Sequence, residues 1–139
     1  MRTVSKTVIG VDFGTQSARA VLVNAENGEI IYSCRKEYPY NSTPVPAIDC
    51  AENLPCATDY EMTLYELLRN VIPEEYRKTV AGICVDATSL TMVLLAEDGR
   101  ALSELDGWSE AAHARVKLWK YHRAQEKADE ALNLARNLQ

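Results

Sequence analysis

The sequence predicts an α/β domain, and three features of the chain support that prediction. Residues 7–13 form a near-continuous apolar run, which is typical of a strand buried on both faces. Two further strand-like segments follow it, and a segment with helical spacing of apolar residues comes next. A fourth strand, apolar like the first, then ends at Asp86, so the predicted order is strand, strand, strand, helix, strand.

The first three strands are expected to form an antiparallel unit. The second strand covers 18–24 and the third covers about 29–36. Asn27-Gly28 lies between them and is the strongest short-range signal for a hairpin, because both residues tolerate the positive φ of tight turns. These two strands therefore extend a sheet that begins with the first one.

A helix is predicted after a proline-rich stretch. Residues 38–57 contain four of the five prolines and little periodicity, which indicates a surface excursion. Thr58 and Glu61 have the spacing of a capping box, with Thr58 as the N-cap, and Pro73 ends the helix. The predicted buried face of this helix consists of Tyr60, Leu64, Leu67, Leu68 and Val71.

The second half of the chain carries shorter signals. A buried strand is predicted over 80–85, and the segments 91–96 and 100–102 flank a turn at 97–99. Residues 115–119 are a candidate strand.

From 123 to 139 the sequence predicts a helix, and the chain stops inside it. Its apolar stripe consists of Ala124, Ala128, Ala131, Leu132, Ala135 and Leu138. We therefore expect 1–139 to form one incomplete domain. The strand order, with acidic or hydroxyl residues at the strand ends, is typical of the N-terminal portion of a ribonuclease H-like (actin-like) fold.

Composition and charge argue against several classes of partner. The hydrophobic content of 47% and the charged content of 25% are ordinary for a soluble globular protein. A net charge of −5 provides no basic field for nucleic acid or for an anionic membrane surface. No apolar run approaches the roughly 20 residues of a spanning helix, and the N-terminus has no signal-peptide core. We expect a cytoplasmic protein without a nucleic-acid or membrane partner.

The four cysteines predict neither a zinc site nor a structural disulfide. They include no C-x-x-C pair, and the chain has two histidines, so zinc-type ligand spacing is absent. Cys34 and Cys84 lie in predicted strands and are expected to be small buried apolar residues. Cys50 and Cys56 have the proximity to pair, but a reducing compartment disfavours that bond.

Residues 8–17 are the best candidate for a ligand site. An apolar strand delivers Asp12 into a tight turn at Gly14, where glycine permits close approach of a ligand and unusual backbone dihedrals. Backbone N–H groups and hydroxyls on such a turn suit phosphate oxygens, and a neighbouring carboxylate suits Mg²⁺. An ordinary β-hairpin with a polar turn is the alternative interpretation. The polar residues of the turn are Thr15, Gln16 and Ser17.

Three blocks of sequence resemble the FGGY carbohydrate kinase family, and within it the ribulokinase branch. Residues 10–20 are similar to the family's first phosphate motif, and 82–92 are similar to its sugar-site strand and turn. Residues 116–122, with Gln125, are similar to its Val-Lys-Leu-Trp-Lys signature. The resemblance spans most of this chain but about the first quarter of a complete family member.

The resemblance implies ATP- and Mg²⁺-dependent transfer of a phosphoryl group to a sugar hydroxyl, which depends on positioning and charge neutralisation. It implies that Asp12 organises Mg²⁺ and that the turn residues Gly14, Thr15, Gln16 and Ser17 face the phosphates. It places near a ketopentose, the implied substrate, the residues Asp86, Thr88, Ser89, Lys117, Trp119 and Lys120. The family's catalytic aspartate lies beyond residue 139, so no catalytic residue is assigned and the isolated chain is expected to be inactive.

Alternatives stay open at this point. Asp86 is equally explained as a turn acceptor, Lys117 and Lys120 as solvated charges, and Trp119 as a packed aromatic residue. The whole chain is also consistent with a non-catalytic sugar-kinase-like domain that acts as a binding or assembly module, or with another actin-like phosphotransferase. Uncovered strand faces and the apolar stripe of the last helix predict a homo-oligomer.

Overall fold

The computed structural model describes residues 5–39, 54–109, 111–119 and 125–137 and has the predicted α/β architecture. The strands are β1 (Thr7–Phe13), β2 (Ser17–Asn24), β3 (Ile30–Glu37) and β4 (Val80–Ala87). The α-helices in the described ranges are α1 (Ala57–Val71) and α2 (Gln125–Asn137). Short 3₁₀ turns cover Glu74–Tyr76, Leu102–Glu104 and Ala112–Ala114.

The strands form one sheet in the order β3-β2-β1-β4. β1 pairs antiparallel with β2 and parallel with β4, so the strand that carries Asp12 has a neighbour on each side. The predicted hairpin is confirmed: the N–H of Asn24 donates to the carbonyl of Glu29 at 2.9 Å, and Gly28 has a φ of 75°. Glycine is favoured there because other residues rarely adopt positive φ.

The hydrophobic core lies between the sheet and α1. Side chains alternate across a strand, so β1 and β2 turn one row of apolar residues towards the helix. The helix contributes Leu67 and Val71, and Tyr60, Leu64 and Leu68 pack around them as the sequence predicts. Burial of each large aliphatic side chain stabilises the fold by about 1.5–3 kcal/mol. The sheet contributes Ile9, Val11, Ala18, Ala20 and Leu22.

The start of α1 differs from the sequence prediction. The N-cap is Cys56 rather than Thr58, and the carboxylate that reaches back to it belongs to Asp59, whose Oδ2 accepts from the Cys56 N–H at 2.9 Å. The hydroxyl of Thr58 instead donates to Glu104 at 2.8 Å. The helix therefore begins two residues earlier than a Thr58 cap requires, because Asp59 satisfies the Cys56 N–H at the N-terminus.

β4 is found where the sequence predicts it, but its predicted burial is wrong. Ile83 and Val85 are half exposed, because α1 packs mainly on β2 and β3, and the core it forms with the sheet takes in Val80 but neither of these two β4 side chains. Cys84, which alternates with Ile83 and Val85 and so lies on the opposite face of β4, is also exposed. Cys34 is half-buried and donates its thiol to the Leu67 carbonyl at 3.5 Å. Cys34, Cys56 and Cys84 are free thiols, and Cys50 lies outside the described residues.

The segment after β4 is held by isolated bridges. The predicted turn at 97–99 is confirmed, since Leu95 pairs with Ala101 around it. The candidate strand at 115–119 is reduced to one bridge, between Lys117 and Met92.

The remaining predictions concern the excursion and the last helix. Residues 40–53 of the predicted excursion lie outside the described residues, and the flanking Tyr38 and Leu54 are buried. Every described residue of α2 is exposed, so the part of its apolar stripe within Gln125–Asn137 is uncovered; Ala124 and Leu138 lie outside the described residues. Neither described helix combines the length and apolar character that a bilayer crossing requires.

Candidate functional site

The turn between β1 and β2, residues 14–17, is closed by its own backbone. The N–H of Gly14 donates to the carbonyl of Ser17 at 3.1 Å. A Cβ at position 14 would lie 3.1 Å from that same carbonyl oxygen, so a larger residue would force the turn open. The expectation of unusual dihedrals is not met, since the positive φ values in the described residues fall at other positions. Close approach of two backbone segments is what requires glycine here.

A cavity of about 400 Å³ opens beside this turn. It contains every residue predicted to face phosphate, together with the predicted metal ligand Asp12. Two guanidinium groups from β2 and β3 also line it, so the lining itself carries two positive charges and the negative charge of Asp12. Such a site suits an anion that carries a cation with it. The lining residues are Asp12, Gly14, Thr15, Gln16, Ser17, Arg19, Arg35 and Trp119.

Asp12 and Asp86 are brought together by the parallel pairing of β1 with β4. They are direct register partners and both are exposed at the carboxyl ends of their strands. Neighbouring strands lie about 4.8 Å apart, so the two carboxylates leave the same face of the sheet side by side. Asp86 also accepts a hydrogen bond from the Ala87 N–H at 2.9 Å.

This pair fits a hard cation. Mg²⁺ is typically bound by one or two carboxylates, with phosphate and water oxygens as its other ligands. Within the described ranges, no group of three or more His, Cys, Asp or Glu side chains forms a complete protein cage for a metal ion. Asp12, beside the 14–17 turn, is the residue that would hold Mg²⁺ in contact with a phosphate group.

The turn after β4 is tied to the end of β1. Thr88 donates both its N–H and its hydroxyl to the carbonyl of Phe13, at 2.9 and 3.1 Å, and its own carbonyl accepts from the Thr91 hydroxyl at 2.8 Å. Thr88 is therefore a structural link between two predicted site segments. Ser89 is exposed, and Leu90 next to it has a φ of 62°, a conformation that leucine rarely adopts.

The third sequence block reaches the site through Trp119. Its indole Nε1 donates to the hydroxyl of Thr15 at 3.2 Å, so Trp119 contacts the 14–17 turn. The sequence resemblance places Trp119 only among the sugar-binding residues. Lys117 is half-buried; burial lowers its pKa, and its Nζ donates to the Arg115 carbonyl at 3.1 Å. Lys120 lies outside the described residues.

Sequence reasoning missed Arg35 and Tyr38, and it assigned no role to Arg19. Arg19 and Arg35 are cross-strand partners on β2 and β3, and the Nε of Arg35 donates to the Ser17 hydroxyl at 3.0 Å. The buried Tyr38 donates its hydroxyl to the Gly14 carbonyl at 2.9 Å. The sequence marks these residues only by position: Arg19 lies near the start of the second predicted strand, and Arg35 and Tyr38 lie near the end of the third.

The fold defines the class of protein first. The chain superposes on the solved gluconate kinase from Lactobacillus acidophilus with a TM-score of 0.62 at 20% identity, covering 92% of this chain and 22% of that one. The ligand-bound xylulose kinase from the same organism gives the same values. At this identity the likeness establishes a shared fold, which is that of sugar kinases, and it confirms the predicted fold class. No protein-family model matches the chain.

Sequence similarity then narrows the class. Ribulokinase 1 of Staphylococcus saprophyticus is 39% identical, over 86% of this chain and 23% of the relative. The ribulokinase of Mycolicibacterium smegmatis is 34% identical, over 94% of this chain and 25% of the relative. The chain spans about a quarter of the length of the curated relatives it matches. It is similar to the N-terminal part of ribulokinases, which confirms the resemblance to the FGGY carbohydrate kinases.

Proposed function

We propose that this chain is the N-terminal part of an ATP-dependent carbohydrate kinase that phosphorylates a ketopentose such as ribulose. The observation that carries the proposal is the hydrogen bond between Trp119 and Thr15, because it joins the third sequence block to the first. Asp12 and Asp86 are register partners, so the second block lies next to the first at the carboxyl ends of β1 and β4. Residues of the first and third blocks therefore line one cavity, and Asp86 of the second block is the register partner of Asp12, which belongs to that lining.

Phosphate binding is the role of the 14–17 turn. Backbone N–H groups of the turn other than that of Gly14, and the hydroxyls of Thr15 and Ser17, donate to phosphate oxygens, and Arg19 adds positive charge. Asp12 holds Mg²⁺, which neutralises charge on the transferred group when ATP is bound. These residues orient the phosphate and reduce the repulsion that an incoming sugar oxygen would meet.

The ketopentose lies on the β4 side of the cavity. Asp86 and Ser89 are exposed and form hydrogen bonds with sugar hydroxyls, and the Trp119 ring lines the cavity beside the 14–17 turn. Lys117 and Lys120 remain proposed neighbours of the substrate. Thr88 acts mainly by holding this turn against β1.

The isolated chain is proposed to be inactive and cytoplasmic. It matches about a quarter of the length of its ribulokinase relatives. None of its described residues is proposed as the general base. Purified 139-residue chain should release no ADP above the uncatalysed background when it is mixed with Mg-ATP and ribulose.

A chimaera tests the proposal directly. In Ribulokinase 1 of Staphylococcus saprophyticus, the matching N-terminal quarter is replaced by this chain, and ADP release is measured with ribulose. Asp12→Ala should lower kcat by at least about 100-fold, because a charge that neutralises the transferred phosphate is lost with the metal. Glu75→Gln, an exposed carboxylate change away from the cavity, is the matched control. Equal turnover by the Asp12→Ala and Glu75→Gln chimaeras would refute the proposal.

A second candidate function is a non-catalytic binding or assembly module. The observation that favours it is the exposure of Ile83 and Val85 on β4, since apolar strand faces of this kind promote association. On this alternative the isolated chain forms a stable homo-oligomer. An active chimaera together with a monomeric isolated chain would rule it out.

A further inference from the structure

We propose that Tyr38 and Arg35, at the C-terminal end of β3, are positioning residues that hold the 14–17 turn in the shape that accepts a phosphate group. The inference rests on the proposed function, because it deepens the phosphate-binding role of that turn. It concerns residues that the three sequence blocks do not contain.

Tyr38 contacts the turn at two points. Its hydroxyl donates to the Gly14 carbonyl at 2.9 Å, and its backbone N–H donates to the Gln16 carbonyl at 3.3 Å. The side chain is 1% exposed, so water does not compete for the hydroxyl. One buried residue therefore orients two of the carbonyl groups of a four-residue turn.

The orientation of the Gly14 carbonyl fixes the next amide. A peptide unit is planar and trans, so its C=O and N–H point in opposite directions. Because the Gly14 carbonyl points at Tyr38, the N–H of Thr15 in the same peptide unit points away from Tyr38. Gly14 and Thr15 both line the cavity. Tyr38 thus sets the direction of a donor that a phosphate oxygen would meet.

The Tyr38 ring is itself held in place. It packs against Tyr60 with 5.0 Å between ring centroids, and Tyr60 packs against Phe13 with 5.8 Å. Phe13 is the residue immediately before the turn. A movement of the Tyr38 hydroxyl away from Gly14 would therefore disturb an aromatic cluster that is anchored on β1.

Arg35 performs the equivalent task at the other end of the turn. Its Nε–H donates to the Ser17 oxygen at 3.0 Å, and Ser17 is buried. Since that oxygen accepts from Arg35, the hydroxyl proton of Ser17 is directed elsewhere and is available to an acceptor such as phosphate. Glu37 lies 3.7 Å from the Arg35 guanidinium and helps to orient it.

Amide spectra of the complete 139-residue chain, titrated with Mg-ATP, test the proposal. Tyr38→Phe removes only the hydroxyl and keeps the ring, so the fold should persist while the ¹H–¹⁵N signal of Thr15 shifts. The apparent Kd for Mg-ATP should rise about 10-fold, because the donor is no longer aimed. Arg35→Lys should raise it by a smaller factor. Tyr32→Phe, a change of the same chemistry on β3 away from the turn, should do neither.

The outcomes separate this inference from the proposed function. An unchanged Thr15 signal and an unchanged Mg-ATP affinity in Tyr38→Phe would overturn the positioning role alone. A wild-type chain that gives no response to Mg-ATP at the 14–17 turn would overturn the phosphate role of the turn, and this inference with it. A Thr15 shift with weakened affinity in Tyr38→Phe, absent from Tyr32→Phe, supports both.

Discussion

β1 and β4 are parallel neighbours with nearly the same pattern of residues, yet their environments differ. Ile9 pairs with Ile83, Val11 with Val85, and each strand then delivers an aspartate to the site. Ile9 and Val11 are 1% and 3% exposed, whereas Ile83 and Val85 are 53% and 55% exposed.

The difference comes from where α1 packs. The helix packs mainly on β2 and β3, and its Leu67 and Val71 share the core with Ile9 and Val11 of the neighbouring β1. Among the described residues of β4, only Val80 packs against that core. The comparison shows that an apolar run predicts a β-strand but does not predict whether a helix will pack over it. The site uses both strands in the same way, while stability depends mainly on one of them.

Unfolding free energies should show this asymmetry most strongly. Ile9→Ala should destabilise the chain by about 3 kcal/mol, because it removes buried methyl groups and leaves a cavity in the core. Ile83→Ala should cost less than about 1 kcal/mol, because half of that side chain is already in water. Urea unfolding followed by circular dichroism measures both. Equal costs would mean that β4 is covered in solution.

Self-association is the next test of the same comparison. An uncovered apolar edge strand should make the chain oligomerise, and Ile83→Lys or Val85→Lys should shift it towards monomer. Light scattering over a dilution series measures the change. Glu75→Gln, which makes the net charge less negative by the same one unit at an exposed position outside β4 and α2, is a control for a general effect of charge. A wild-type monomer at every concentration would contradict the prediction.

The covered side of the sheet should also respond to high pH. Burial, with a smaller contribution from Asp59, raises the pKa of Tyr60 from 10 to about 12. Between these values the unfolded chain loses the phenolic proton and the folded chain keeps it. Stability is therefore complete below pH 10 and falls as the pH rises towards 12. Urea unfolding at about pH 9 and pH 11 should show a smaller loss in Tyr60→Phe than in the wild type.

The smallest expected effect is in thiol chemistry. Cys84 on β4 is exposed, whereas Cys34 is half-buried and burial raises its pKa, which lowers its thiolate fraction. In a Cys50→Ser background, a disulfide reagent should modify Cys84 about 10-fold faster than Cys34. Mass spectrometry of the labelled peptides measures the two rates. Similar rates would show that the two faces are equally accessible.

Much of the fold was predictable from local patterns. The hairpin followed from Asn27-Gly28, and the buried face of α1 followed from its helical spacing of apolar residues, because both signals depend on neighbours in sequence. The exposure of β4 was not predictable, since it depends on the crossing position of a helix that no local pattern specifies. The capping prediction failed because Cys56 and Asp59 have the same three-residue spacing as Thr58 and Glu61, and the structure uses the earlier pair.

The sequence motifs of the candidate site were predictable, but the residues that hold the 14–17 turn in place were not. Asp12, Gly14 and Asp86 stand at strand ends that a reader of the sequence can locate. The placement of Arg35 opposite Arg19 depends on a register shift in the β2–β3 pairing between Leu22 and Val23. Val23 pairs with Ile30, and a regular continuation would place Cys34 opposite Arg19; the shift places Arg35 there instead. A one-residue shift sends every later side chain to the other face, so the sequence pattern alone left this arginine unassigned.

The contact between Thr15 and Trp119 has a consequence for the order of folding. The two residues are 104 positions apart, whereas β1 and β2 pair across a four-residue turn. The entropy lost on closing a loop grows with its length, so the local hairpin can form well before Trp119 arrives. The 14–17 turn is then an early structure and the cavity a late one. A nascent chain would form the β1–β2 pair and the 14–17 turn first, Asp86 would pair with Asp12 once β4 has emerged, and Trp119 would reach Thr15 last.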